Sequence, residues 1–264
     1  MVTEEIIDDF LSKGKYSFTL DEFRKAYDST NTSVKRALSK LSKKGRIRSI
    51  KKGFYVIVTP EYKSSVIPPV TDLLDGLMND FNKAYYLGLL SAAALHGAAH
   101  QQPLVSMVVI PKPALRNINL INHRIMFLTK SKWLQQGVIR KNVRTGYINI
   151  SNPALTAIDL IQYQTKCGGI SRIYDILSEL HEVITKTDLK SIIRTSDIKK
   201  SVLQRAGFLL DYIGRRDLGQ IIFDFLQNKK FSYVPLREGK VDGEEIGRDH
   251  KWRIIINTRI DSDL

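Results

Sequence analysis

The chain has 264 residues, of which 43% are hydrophobic and 26% charged, which excludes a disordered chain and allows two folded domains. Its 41 Lys and Arg residues against 27 Asp and Glu give a net charge of +14, which predicts a polyanionic partner and favours nucleic acid over a membrane surface. The single cysteine, Cys167, excludes an internal disulfide and a multi-cysteine metal site, as expected for a protein of the reducing cytoplasm.

The start of the chain predicts two short helices joined by an extended segment, residues 16–19. Residues 3–13 have the apolar spacing of an amphipathic helix, with Ile6, Ile7, Phe10 and Leu11 facing inward. Thr19 and Glu22 form a capping box, in which the Thr hydroxyl accepts from the third helical amide and the Glu carboxylate reaches back. A second helix is therefore expected over residues 20–27.

A third helix is predicted over residues 32–44, with Gly45 where a left-handed residue would end it. Its apolar residues recur at helical spacing and share one face: Val34, Ala37, Leu38 and Leu41. The opposite face carries hydroxyl-bearing and basic residues: Thr32, Lys35, Arg36, Ser39, Lys40 and Lys43. Residues 46–50 and 54–58 then flank a Lys-Lys-Gly turn, which predicts a β-hairpin.

The order helix, strand, helix, turn, helix, hairpin is typical of a winged helix-turn-helix, and it occupies residues 1–60. Residues 29–58 contain nine Lys and Arg and no acid. A solvated helix face is the alternative interpretation, but such faces normally carry Glu beside Lys, which leaves the one-sided charge unexplained. We therefore expect the third helix to enter the major groove of double-stranded DNA while the hairpin contacts phosphate.

The predicted DNA-binding residues fall into two groups. The N-terminal half of a recognition helix penetrates a groove most deeply, so its exposed residues are expected nearest the base edges: Thr32, Lys35, Arg36 and Ser39. The remaining cations are expected to contact phosphates: Lys40, Lys43, Arg46, Arg48, Lys51 and Lys52.

Residues 61–69 are expected to form a stiff linker, because Pro68 and Pro69 in succession cannot continue a strand. A mixed α/β domain is expected over residues 70–264, which makes the predicted fold class α+β: an N-terminal winged helix-turn-helix and a larger mixed domain. Its predicted helices are residues 70–81, 83–99, 153–163, 170–182, 187–194, 197–213 and 216–228. Its predicted strands are residues 105–110, 118–121, 124–128, 139–143, 147–150, 231–236 and 252–258.

Residues 81–158 contain no Asp or Glu, although they contain nine cations. One interpretation is a mostly buried set of strands whose few exposed positions are basic. The other is a second basic surface that extends the DNA contact or binds an acidic protein. Its candidate residues are Lys112, Arg116, Arg124, Lys130, Lys132, Arg140, Lys141 and Arg144.

The sequence resembles the AbiEi family at three places. VKRAL at residues 34–38 and KGFY at residues 52–55 resemble its N-terminal domain, and YYLGLLSAAALHG at residues 85–97 resembles the helix that opens its second domain. NPALTAIDLI at residues 152–161 resembles a later helix of that family. There the sequence departs from the family pattern, because Pro153, Ala154 and Leu155 stand where a charged residue and an arginine often precede Thr-x-x-Asp.

The resemblance implies an antitoxin and transcriptional repressor of a type IV abortive-infection toxin–antitoxin system. Such a protein binds inverted repeats in the promoter of its own operon. It also implies a second domain that counteracts a cognate nucleotidyltransferase toxin, either directly or indirectly.

Catalytic, metal and cofactor sites are not expected. His96 and His100 have helical spacing, but the Glu of a His-Glu-x-x-His motif and a third ligand are missing. Asp159 in an apolar helix is better explained as a buried, hydrogen-bonded acid than as a catalytic carboxylate without partners. Two alternatives to a simple repressor stay open: a ligand-sensing repressor whose second domain binds a small molecule, and a metal-dependent nuclease, which needs clustered carboxylates.

A membrane location is also not expected. Residues 1–5 lack the basic-then-apolar order of a signal peptide. The longest weakly polar run, residues 85–99, is shorter than the ~20 residues of a membrane span. We therefore expect a cytoplasmic protein without a membrane contact.

Overall fold

The computed structural model describes residues 3–62, 68–98, 104–133, 135–195, 197–239 and 245–260, which fold into α-helices and β-strands of the predicted α+β class. Two compact units divide the chain. The first comprises Met1–Tyr86, Leu104–Ser131 and Arg140–Asn149, and the second comprises Leu87–Pro103, Lys132–Ile139 and Ile150–Leu264.

The N-terminal part of the first unit has the predicted element order. Its elements are α1 (Thr3–Ser12), β1 (Ser17–Thr19), α2 (Leu20–Ala26), α3 (Asn31–Lys43), β2 (Ile47–Lys51) and β3 (Phe54–Ile57). The three strands pair antiparallel in the order β1-β3-β2. This arrangement is compatible with a winged helix-turn-helix.

Local capping signals in the sequence account for the bounds of these helices. Both halves of the predicted capping box are present: Glu22 N donates to Thr19 Oγ1 at 3.1 Å and Thr19 N donates to Glu22 Oε2 at 2.8 Å. Thr30 caps α3 by accepting from Ser33 N at 3.3 Å. Gly45 follows α3 at φ +70°, which glycine adopts without a steric penalty.

An aromatic cluster centred on Phe18 forms the core of this part. The Phe18 ring centroid lies 5.3 Å from that of Phe10, 5.6 Å from that of Phe23 and 5.5 Å from that of Tyr55. The predicted apolar face of α3 is buried in the same core. The hydrophobic effect therefore fixes which face of α3 remains exposed.

Helix α4 (Val70–Asp80) packs against β1 and β3 within the first unit. A Cβ at Gly76 of α4 would meet Ser17 Oγ at 2.8 Å, which shows how closely the helix approaches the strand. The compact units consequently differ from the predicted division into residues 1–60, 61–69 and 70–264. Those domain boundaries stay a prediction, and residues 63–67 of the linker lie outside the described residues.

The next strands along the chain are β4 (Tyr86–Leu87), β5 (Val105–Pro111), β6 (Ile118–Asn119), β7 (Arg124–Lys130), β8 (Val138–Val143) and β9 (Gly146–Ser151). Within the first unit, β5 and β7 pair in parallel with Val105 opposite Arg124, and β6 adds antiparallel to β7. Within the second unit, Leu87 of β4 pairs in parallel with Ile150 of β9.

The second unit is mainly helical. Its helices are α5 (Leu89–Leu95), α6 (Pro153–Gln162), α7 (Ile170–Leu180), α8 (Lys186–Thr195), α9 (Lys200–Tyr212) and α10 (Arg216–Leu226). A small sheet has the order β10 (Val234–Pro235), β12 (Ile254–Ile256) and β11 (Gly247–Asp249). Helix α6 packs against α5, α7, α8 and α9, which explains why nearly all of its residues are buried. No helix among the described residues has both the length and the apolar character to cross a bilayer.

The predicted helix over residues 83–99 is wrong in its first part. Tyr86 and Leu87 form a strand instead, and the helix runs only from Leu89 to Leu95. Gly88 is extended at φ −131°, and Tyr86 is fully buried, so the aromatic residue follows its strand preference. Residues 99–103 lie outside the described residues. Strand β11 is an additional strand, which lies between the strands predicted over residues 231–236 and 252–258.

Gly207 of α9 offers a direct test of packing in the second unit. Its missing Cβ would meet the ring of Trp252 at 2.1 Å, and Trp252 is 1% exposed. We expect Gly207→Ala to lower the free energy of unfolding by about 1–3 kcal/mol, as overpacked cores do. Urea unfolding measures the change.

Gly247→Ala is the matched control. A Cβ at Gly247 has no atom within 4 Å, so its effect should stay within about 0.5 kcal/mol. Equal stabilities of the two variants would contradict the close packing of Trp252 on Gly207.

Candidate nucleic-acid interface

Helix α3 presents the predicted polar and basic residues on one exposed face. Thr32, Lys35, Arg36, Ser39, Lys40 and Lys43 are all exposed. The residues between them, Val34, Ala37, Leu38 and Leu41, are buried. The predicted face of the helix is thus accessible to a partner.

Most cations of this face lack an acidic partner. Lys35, Arg36, Lys40 and Lys43 form no ion pair with any residue that the structure describes. The same holds within the described residues for Arg48 on β2 and for Lys52 in the hairpin turn, and both are exposed. We refer to Lys35, Arg36, Lys40, Lys43, Arg48 and Lys52 as the unpaired basic face.

A groove of about 660 Å³ lies between α3 and the hairpin turn. Lys35, Ser39 and Ser42 line its α3 side, and Lys52 and Gly53 line its hairpin side. Asp21 and Asp80 also reach this groove, so it is not uniformly basic. The shared groove brings the hairpin cation Lys52 and the α3 cation Lys35 to one surface.

Two of the predicted phosphate-contacting residues are held by acids of the protein. Lys51 forms an ion pair with Asp80 at the end of α4, and its ammonium lies 4.4 Å from the centroid of the Phe81 ring. Arg46 pairs with Asp8 at 2.6 Å. Both interactions neutralise charge that was predicted to contact phosphate.

The acids of α1 explain why the end of α3 is less basic than its sequence indicates. Lys44 pairs with Glu4 at 2.5 Å, and the hydrogen bond from Lys44 lowers the pKa of that carboxyl. Glu4 and Asp8 lie four residues apart on α1, so they share one helix face. That spacing is a sequence signal for an acidic stripe, although the sequence does not reveal which cations it meets.

The second basic surface predicted for residues 81–158 needs correction. Lys130 is only 6% exposed, because it lies at the buried end of β7 on the same side as buried Leu128. Lys132 pairs with Asp197, and Arg144 is engaged in two ion pairs. The candidates that remain exposed are Lys112, Arg116, Arg124 and Arg140, whereas Lys141 is half-buried.

A buried polar cluster of the second unit joins the end of α5 to the start of α6, the two helices whose sequences resemble the AbiEi family. His96 Nε2 lies 2.7 Å from Ser151 O, and the hydroxyls of Ser151 and Thr156 are 2.7 Å apart. Asn152 caps α6 by accepting from Leu155 N at 2.9 Å. These bonds fix the start of α6 against the end of α5.

Asp159 of α6 is fully buried. Burial and the nearby Asp159 carboxylate together raise the pKa of Tyr163 to about 12, and they also raise the pKa of the Cys167 thiol to about 12. Such a thiol is protonated and unreactive at neutral pH. Within the described residues no group of three or more His, Cys, Asp or Glu is placed to hold a metal ion, and His100 lies outside them.

The family described as the AbiEi antitoxin C-terminal domain matches residues 86–212, which run from β4 to the end of α9. Residues 86–212 therefore carry an AbiEi antitoxin C-terminal domain. The resemblance seen in the sequence is thereby confirmed, and residues 86–212 are called the AbiEi domain from here on.

A crystal structure of the RV2827C protein from Mycobacterium tuberculosis has a similar fold, with a TM-score of 0.73. The two chains share 15% sequence identity, and the match covers 95% of this chain and 89% of that one. This similarity concerns the fold alone. No protein of curated function matches the sequence significantly.

Arg144 of the AbiEi domain lies among residues from the N-terminal part of the first unit. Its guanidinium pairs with Glu61 at 2.8 Å and with Asp72 at 3.0 Å. It also lies 4.2 Å from the Tyr16 ring centroid and 5.1 Å from that of Tyr62. One arginine therefore links the segment before β1, the segment before α4 and the β8–β9 turn.

Asp72 is the buried partner of this arrangement, with its side chain 5% exposed. Burial raises the pKa of Asp72 above its ordinary value of 3.8, although the charge and hydrogen bond of Arg144 lower it. Because the folded-state pKa is the higher one, Asp72 favours folding at low pH. That contribution is lost as the pH rises through the folded pKa.

Arg144→Ala is expected to lower the free energy of unfolding by about 1–3 kcal/mol at neutral pH, because it leaves the Asp72 carboxylate buried and unpaired. The pKa of Asp72 should rise further, so the loss should be smaller near pH 4 and grow as the pH increases. Urea unfolding between about pH 4 and pH 8 measures it.

Arg140→Ala, which removes an exposed arginine nearby in sequence, is the control and should change stability by no more than about 0.5 kcal/mol. Adding Asp72→Asn to Arg144→Ala should remove the pH-dependent part of the loss. A loss independent of pH in the single variant would show that Arg144 acts through packing and not through Asp72.

Proposed function

We propose that this protein is a DNA-binding transcriptional repressor whose N-terminal winged helix-turn-helix binds inverted repeats upstream of its own operon. In this proposal α3 lies in the major groove and the β2–β3 turn contacts the phosphate backbone. The main observation in support of this proposal is the unpaired basic face. Its six cations lie on α3 and the hairpin and form no ion pair with any described residue.

Electrostatics favour a duplex as the partner of this face. Six cations that form no ion pair with any described residue repel one another, and an accessible polyanion relieves that repulsion and releases its counterions. The hydroxyls of Thr32 and Ser39 stand among the cations and can hydrogen-bond to bases or phosphates. A helix of 13 residues with a buried opposite face is rigid enough to present them in a fixed register.

The roles of individual residues follow from their positions on α3 and the hairpin. We assign Thr32, Lys35 and Arg36 to base edges, because they lie in the N-terminal half of α3, and with them Ser39, which lies one turn beyond Lys35 on the same exposed face. Phosphate contacts are assigned to Lys40, Lys43, Arg48 and Lys52. Arg46 and Lys51 are assigned a weaker part, since Asp8 and Asp80 already neutralise them.

The AbiEi domain supports the second half of the proposal, a role in a toxin–antitoxin system. We propose that this cytoplasmic, non-catalytic protein counteracts a cognate nucleotidyltransferase toxin, directly or indirectly. The exposed cations Lys112, Arg116, Arg124 and Arg140 are the part of the predicted second basic surface that remains available to a partner.

Arg36→Ala tests the recognition helix. It should weaken binding to the upstream promoter fragment by about 1–3 kcal/mol and relax the preference for one base pair, because a bidentate contact to a base is lost. Fluorescence anisotropy with the promoter fragment and single-base variants of it measures both effects. Growth rescue from a co-expressed toxin should persist, since Arg36 lies outside the AbiEi domain.

Arg194→Ala is the matched control, because it removes an exposed arginine of α8 that has no ion pair with any described residue. Its promoter affinity should equal that of the unchanged protein. Equal affinities of the Arg36 and Arg194 variants for every fragment would overturn the assignment of α3.

The two single variants Lys52→Ala and Lys51→Ala are compared to test whether the hairpin contacts phosphate. Each phosphate contact contributes about 0.9 to the slope of log K against log salt, so Lys52→Ala should flatten that slope by about this amount. Lys51→Ala should change the slope much less, since its charge is already paired with Asp80. Titrations at several salt concentrations measure both slopes.

The opposite order of the two variants would show that Lys51 leaves Asp80 in the complex and contacts phosphate. Unchanged slopes in both variants would remove the hairpin from the interface.

A further inference from the structure

A basic cleft of about 480 Å³ lies in the second unit, beyond the C-terminal end of the AbiEi domain. It is bounded by the end of α10 with the segment that follows it and by the segment before β12. We propose that this cleft binds a nucleoside phosphate, either as a free nucleotide or as the end of a single strand. Its volume is that of ordinary small-ligand sites, about 300–1,000 Å³.

The charge of the cleft has one sign. Lys229, Lys230, Lys251 and Arg253 line it together with His250, and none of the described residues that line it is acidic. Only Lys251 has an acidic partner among the described residues, Asp211 at 2.6 Å. The other three cations therefore leave a net positive charge in a concave site, which concentrates anions.

The end of α10 accounts for only part of this charge. Cations at a helix C-terminus are favoured by the helix dipole, which is a sufficient reason for Lys229 and Lys230. Lys251 and Arg253 come from a different segment, about twenty residues further along the chain, and the dipole gives no reason for them. Two segments thus converge with the same sign of charge, as in an anion-binding site.

Two half-exposed aromatic rings line the same cleft, Phe223 and Phe231. The Arg253 guanidinium lies 4.9 Å from the Phe231 ring centroid, and the Lys251 ammonium lies 5.4 Å from that of Phe223. Buried Trp252 supports the floor, with its ring edge-on to Phe223 at 5.7 Å and its Nε1 donating to Asp211.

Cations beside aromatic faces match the two chemical parts of a nucleotide. Lysine and arginine donate to phosphate oxygens, and a base stacks on an aromatic ring or on a guanidinium plane. An acidic peptide would satisfy the charge but would leave the two rings unused. The cleft is formed by residues of the second unit and α3 belongs to the first, so this inference is independent of the proposed DNA contact and also suits the ligand-sensing alternative.

Calorimetric titration of the full chain with AMP, adenosine and inorganic phosphate tests whether the cations bind the phosphate and the aromatic rings bind the base. AMP should bind at least tenfold more tightly than adenosine or phosphate, because only AMP engages the cations and the rings together. No binding of AMP at millimolar concentration, or phosphate binding as tight as that of AMP, would overturn the proposal.

Variants locate the binding in the cleft. Lys230→Ala and Arg253→Ala should each weaken AMP binding at least fivefold, whereas Lys190→Ala, which removes an exposed and unpaired cation of α8 among the described residues, should have no effect. Phe231→Leu should weaken AMP binding while leaving phosphate binding unchanged. Circular dichroism checks that each variant is folded. Equal AMP affinities of the Lys230, Arg253 and Lys190 variants would show that the nucleotide binds outside this cleft.

A 5′-phosphorylated tetranucleotide distinguishes the two sources of the ligand. Binding more than tenfold tighter than that of AMP, and lost in Arg253→Ala, assigns the cleft to the end of a single strand. Binding no tighter than that of AMP assigns it to a free nucleotide.

Discussion

Burial of one face of α3 against the aromatic cluster around Phe18 is the interaction on which the arrangement of the first unit depends. Each residue of a helix lies about 100° from the next, so fixing Val34, Ala37, Leu38 and Leu41 inside fixes the opposite face outside. The position of the cations is therefore a consequence of hydrophobic packing and needs no charge–charge attraction. Phe18, which contacts both Phe10 and Phe23, joins α1, β1 and α2 into the support for that helix.

Ion pairs with acids of the protein then distinguish cations that look equivalent in the sequence. Lys51 and Lys52 are neighbours in one turn, yet Lys51 is held by Asp80 and Phe81 while Lys52 is exposed. The cations of residues 81–158 also differ in availability, because Lys130 is buried and Arg144 is paired with Asp72. The lack of acids in that span does not make all its cations available, because acids from outside the span pair with Lys132 and Arg144.

Local signals predicted much of the fold. Four local signals appear in the structure: the capping box at Thr19, the apolar face of α3, the Lys-Lys-Gly turn and the Asn-Pro start of α6. Each depends on residues within seven positions of one another. Long-range pairs were not predictable from one sequence. Arg144 meets Asp72 across 72 positions, and no local pattern indicates which acid an arginine finds. The strand at Tyr86 was missed because its short length and alanine-rich surroundings match a helix.

The Arg144 arrangement limits how freely the N-terminal segment can be exchanged between relatives. If an N-terminal segment from a relative lacked the ring of Tyr16 and the carboxylate of Glu61, the Arg144 guanidinium would lose two of its four contacts. Recombination at the prolines of residues 68–69 would separate Glu61 from its arginine while keeping both reading frames intact. Chimeric proteins joined there should therefore be less stable, because Arg144 loses its partners. Stable chimeras are expected to take Tyr16, Glu61 and Arg144 from the same parent.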